Sequence, residues 1–121
     1  MDSRPSLNHQ IDRALLEFNH ILLCAPNEFP QEEGTNLQKE FARLLDRLKD
    51  ILNRVNHPQA RQWIQLSIGE TEEALGAYLA GDEKKGSDFI QTAEEHFRNY
   101  LRRKKARPTF IAGPEGDIEK A

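Results

Sequence analysis

The sequence predicts an all-α fold, an up-down antiparallel four-helix bundle followed by a short C-terminal tail. Three observations lead there. Apolar residues recur at alternating spacings of three and four through four stretches of about twenty residues, the pattern of helices with one buried face. Breaks that carry proline, glycine or asparagine separate these stretches. Two of the breaks are so short that the helices flanking them must run antiparallel.

The first helix is expected over about 6–25. Leu7, Ile11, Ala14, Phe18, Ile21 and Ala25 mark its stripe, and Leu15 and Leu22 widen it. The second is expected over about 35–55, with Leu37, Phe41, Leu44, Leu48, Ile51 and Val55 at the same spacing and Leu45 and Leu52 beside them. The two stripes coincide at an offset of thirty residues, but the polar residues between them do not. Two helices solving one packing problem explain this better than a repeat does. Thr35 and Gln38 have the spacing of a capping box, in which each side chain satisfies a free amide at the helix start. The intervening PNEFPQEEG holds two prolines and a glycine and reads as a loop, with Phe29 available to anchor a short turn.

The third helix is expected over about 58–80. Pro58 suits its first position, where a missing amide donor costs nothing, and His57 is placed to cap or cover that start. Ile64, Ile68, Thr71, Leu75 and Tyr78 define its face. Gly81 ends it by taking the left-handed conformation cheaply. Asp82 then caps the fourth helix, over about 83–106, whose inner stripe is Ile90, Ala93, Phe97, Tyr100 and Leu101. Residues 1–106 make one bundle domain. Residues 107–121, RPTFIAGPEGDIEKA, form a flexible tail in which Phe110 and Ile111 either tuck back onto the bundle or dock a partner.

The chain has 121 residues, a net charge of −3 and 37% apolar residues, an ordinary balance for a folded cytoplasmic protein. Its single cysteine, Cys24, excludes an internal disulfide framework and a cysteine-based zinc cluster. The polar start lacks a leader's apolar core. No apolar run approaches the roughly 20 residues that span a membrane.

Catalytic signatures are sparse. Glu17 and His20 have the Glu-x-x-His spacing of di-iron bundles, but such sites need two of these pairs and two further glutamates. The pair reads as a boundary pair touching solvent. Cys24, one turn after His20, would complete a thiol or two-ligand site at most. His9, His57 and His96 stand on separate segments. No phosphate-cradling glycine loop and no nucleophile-elbow motif occurs. No catalytic residue, cofactor or metal ligand is assigned on this basis.

Two surfaces stand out. Leu16 and Leu23, seven residues apart, fall more than ninety degrees from the Ile11/Phe18 stripe, taking about 100° per residue. Either the first helix sits centrally among the others, or it offers a second apolar face to a partner or to another copy of the chain. Trp63 and Leu66 stray similarly from the stripe of the third helix, where Gly69 and Gly76 lie on the opposite side. Glycine inside a helix costs about 1 kcal/mol relative to alanine, so two of them indicate either close approach by another backbone or a tolerated weakness. The second surface is basic: Arg98, Arg102, Arg103, Lys104, Lys105 and Arg107 cluster at the end of the fourth helix, where the helix dipole favours positive charge. The expected function is a non-catalytic protein–protein interaction module that binds a protein partner or a second copy of itself, anchored by Leu16, Leu23, Trp63 and Leu66. One alternative is a nucleic-acid-associated accessory protein using the basic end. The other is a metal- or thiol-dependent enzyme around Glu17, His20 and Cys24.

Overall fold

A computed structural model describes residues 5–25 and 36–106, the last four as backbone only. Four helices follow in order: α1 (Leu7–Cys24), α2 (Leu37–Arg54), α3 (Pro58–Leu79) and α4 (Glu83–Ala106). Each lies within two residues of its expected bounds. The Phe29 turn, the Thr35 half of the capping box and the tail with Phe110 and Ile111 lie outside the described residues.

Local chemistry sets the helix ends. Ser6 Oγ accepts from the His9 amide at 3.1 Å. Asn36 caps α2 by accepting from the Lys39 amide at 2.9 Å. His57 Nδ1 accepts from the Gln59 amide at 3.2 Å, with Pro58 at the first position of α3. Gly81 ends α3 at φ 87°. Its amide donates to Tyr78 O at 3.0 Å, and the Asp82 amide donates to Ala77 O at 2.9 Å. These are the two bonds of a Schellman stop, which satisfies carbonyls that the helix end leaves free. Asp82 Oδ1 then accepts from the Lys85 amide, so one residue closes α3 and opens α4.

Consecutive helices pack against each other, and α1 also meets α4. Among the described residues the backbones of the diagonal pairs, α1 with α3 and α2 with α4, do not approach each other, so the four form a closed ring of alternating direction around one shared core. This excludes an open pair of hairpins. Phe18, Phe41 and Phe97 are completely buried, with Ile21, Leu44, Leu48, Ile51, Ile64 and Ile90 around them. Full burial of each such side chain contributes about 1.5–3 kcal/mol. The Phe18 and Phe97 rings stand 5.9 Å apart and join α1 to α4. Phe41 and Tyr78 meet edge-on at 5.9 Å and join α2 to α3.

The inner face of α3 differs from the one expected. Its buried line is Ala60, Ile64, Ser67, Thr71, Ala74 and Tyr78, while Ile68 and Leu75 stand half-buried at its edge. Two hydroxyl residues can sit at the centre because both are satisfied locally. Ser67 Oγ donates to Ala93 O on α4 at 2.8 Å, and Thr71 Oγ1 donates to Ser67 O at 2.8 Å. Small side chains here bring α3 and α4 into the most extensive helix contact of the fold.

Of the two explanations for the α3 glycines, a tolerated weakness is the one that fits. A Cβ on Gly69 or Gly76 would meet nothing within 4 Å, so among the described residues no other backbone approaches either. The close approach is at Gly86, where a Cβ would stand 2.8 Å from Tyr78 Cδ2 and 2.9 Å from Cγ. Gly86→Ala is therefore expected to destabilise the fold by about 1–3 kcal/mol, the usual cost of overpacking against a rigid ring. Gly69→Ala and Gly76→Ala are each expected to stabilise it by up to about 1 kcal/mol. Urea unfolding of the three variants checks the opposite signs.

Candidate protein-interaction surface

On α1, Ala14, Phe18 and Ile21 point into the ring and are fully buried. At about 100° per residue, Leu16 and Leu23 fall on the far side of the helix. They are 58% and 72% exposed. The central placement of the first helix is thereby overturned: among the helices α1 packs against α2 and α4, and its second apolar line faces outward. Leu15 and Leu22, half-buried, flank this line. They lie on the side of Phe18 away from Glu17, the residue that faces α2, and so continue the apolar strip toward the α4 seam.

The other expected anchors are elsewhere. Leu66 is 41% exposed, but on α3, diagonal to α1 in the ring. Trp63 is half-buried and tilts over His96 with ring centroids 5.5 Å apart. His96 Nδ1 lies 2.6 Å from Glu70 Oε1. Trp63 thus covers a polar contact between α3 and α4, and neither it nor Leu66 joins Leu16 and Leu23 in one patch. Leu79, 57% exposed near the end of α3, is an apolar surface residue that the sequence reading passed over. Its position seven residues after the exposed Glu72 was the available signal.

Glu17 is not at a solvent boundary. It is buried in the α1/α2 seam, where Arg47 Nε donates to its Oε1 at 2.9 Å. Arg47 Nη1 also donates to Gln10 Oε1 at 2.7 Å, and Gln10 Nε2 donates to Asp50 Oδ2 at 2.8 Å. His20 Nδ1 lies 3.7 Å from Oε1 of Glu40, itself buried and also paired with Arg43 at 3.2 Å. Cys24 is half-buried at the end of α1. Among the described residues no group of three or more His, Cys, Asp or Glu side chains is placed to hold a metal ion. The offset of thirty residues between the two apolar stripes held the clue to this seam: Glu17 and Arg47 occupy equivalent positions.

The basic end is only partly open to view. Arg98 donates to Glu94 Oε2 at 3.0 Å, and the exposed Arg102 donates to Asn99. Arg103, Lys104 and Lys105 continue the helix, with their side chains outside the described part, as is all of Arg107. Upstream on the same helix a shallow surface depression is lined by Asp88, Glu94 and Glu95 as well as Arg98.

Burial pushes the Glu17 carboxyl above its ordinary value of 4.5, against the opposing pull of Arg47 and then Arg43, with Glu40 adding to the rise. A raised acid binds its proton more tightly in the folded chain than in the unfolded one. Stability from this group therefore increases as pH falls through the raised value toward 4.5 and is lost as pH rises again. Glu17→Gln removes this titration while keeping an oxygen for Arg47. The stability of the wild type relative to Glu17→Gln is expected to improve between neutral pH and about 4.5, as read by urea unfolding across that range. No family model, no curated protein and no solved structure matches this chain.

Proposed function

We propose that this protein is a non-catalytic interaction module that docks a protein partner, or a second copy of itself, on the outer face of α1. The observation that carries the reading is the pair Leu16 and Leu23, both more than half exposed on one line of a helix whose other side is fully committed to the core. Exposed apolar side chains in line are the usual sign of a surface that another chain covers. An apolar line can pack against the same line of a second copy, and such a contact closes under two-fold symmetry, which makes a homodimer its simplest occupant. A cytoplasmic setting is part of the proposal. It is supported by the single cysteine, and by the absence, among the described residues, of a helix long and apolar enough to cross a membrane.

The test is the double variant Leu16→Glu/Leu23→Glu. Because neither side chain supports the core, helicity and unfolding midpoint are expected to stay near the wild-type values. Self-association by sedimentation velocity, or affinity for an identified partner, is expected to weaken at least tenfold, the effect of losing about 1.4 kcal/mol of contact. Unchanged association of a folded variant would remove this face from the function.

A further inference from the structure

The apolar strip of α1 lies within reach of a segment of the same chain. The helices alternate in direction around the ring, so α4 runs antiparallel to α1, and Phe18 and Phe97 mark the level at which the two meet. Ala106, the last residue of α4, is nine residues beyond Phe97. At about 1.5 Å per residue this places the end of α4 near the level of His9, and Leu16 about 10 Å further along α1. Phe110 and Ile111 follow Ala106 by four and five residues, an extended reach of about 13–18 Å. That spans both the rise to Leu16 and the sideways step, since packed helix axes lie about 8–10 Å apart. Leu23, about 10 Å further still, is reached only by residues after Ile111. The half-buried Leu15 and Leu22 make a continuous apolar path from the α4 seam to the exposed leucines.

We propose that Phe110 and Ile111 dock in cis on the Leu16 end of this strip, so that the tail is the resident occupant of the face and a partner must displace it. The proposal rests on the reading of α1 as a docking face. Phe110 and Ile111 stand side by side in a segment whose one other large apolar residue is Ile118, and the exposed Leu16 lies within their reach at the end of a continuous apolar path. A tether of three residues, Arg107 to Thr109, gives an effective local concentration in the millimolar range, enough for a small contact to compete with a dilute partner.

The test uses the full chain with methyl-labelled leucines. A nitroxide is carried at Thr109→Cys, with Cys24→Ser to leave a single attachment point. The Leu16 methyl signals are expected to broaden most and Leu23 less, while Leu79, near the far end of the bundle, stays sharp. Adding Phe110→Ser and Ile111→Ser is expected to relieve the broadening. Sharp Leu16 signals, or broadening centred on Leu66, would overturn the proposal. So would broadening that persists when the spin label and the methyl label are on different molecules, because the occupant would then be a second copy. Failure here is distinct from failure of the docking face itself, because the tail is read with no partner present. The face is read by the association of the Leu16/Leu23 variant.

Discussion

Ser67 and Thr71 sit on the buried line of α3 where a helical bundle ordinarily places aliphatic residues, and their small size sets how closely α4 approaches. The hydroxyl of Ser67 reaches the Ala93 carbonyl of the neighbouring helix, which brings a side chain of one helix against the backbone of the other. At the far end of the same seam Tyr78 lies over Gly86, in space that any side chain would fill. Between these points Ala74, Ala77 and Ala93 present little bulk. The stop at Gly81 and the cap at Asp82 fix the two helices at the spacing these residues demand. The rest of the ring is built onto this hairpin, with larger side chains filling the wider space toward α1 and α2.

The α1/α2 seam obeys a different logic. Glu17 and Glu40 are buried, and each meets an arginine of α2. Buried ion pairs offer little net stability over apolar side chains of the same size, because the cost of leaving water offsets most of the attraction. They are exacting about register, however: Arg47 satisfies Glu17 and Gln10 together only when α1 and α2 are correctly aligned. The raised affinity of Glu17 for its proton shows that Arg47 does not fully offset the burial. α1 is therefore aligned by polar contacts on one side and held by Phe18 and its aliphatic neighbours on the other, with its outer leucines free of both tasks.

That separation gives the proposed docking face its plausibility. A residue that serves the core cannot be exchanged for a binding contact without loss of stability, whereas Leu16 and Leu23 can be covered or uncovered without disturbing the fold. Trp63 makes the contrast. It has the size and chemistry of an interface anchor, yet its ring is engaged over the His96–Glu70 contact and works for the α3/α4 seam.

Much of the architecture was legible from the chain alone. The four helices, their direction and the ends at His57, Gly81 and Asp82 follow from periodicity and capping, which are decided by residues within one or two turns of each other. The stripes of α1, α2 and α4 were readable because each is dominated by large aliphatic and aromatic side chains. The stripe of α3 was not. Ser67 and Thr71 look polar until the partner carbonyls are known, and Ile68 and Leu75 drew the expected face toward α2. Leu16 and Leu23 were recognisable as a second apolar line, but the same spacing fits a helix surrounded by others and a helix at the surface. Only the closed ring, which among the described residues leaves one side of α1 without a neighbouring helix, chose between them. Burial of Glu17 and the tight space at Gly86 were likewise settled in three dimensions, because each depends on a residue brought opposite by a different helix and carries no local mark of its own.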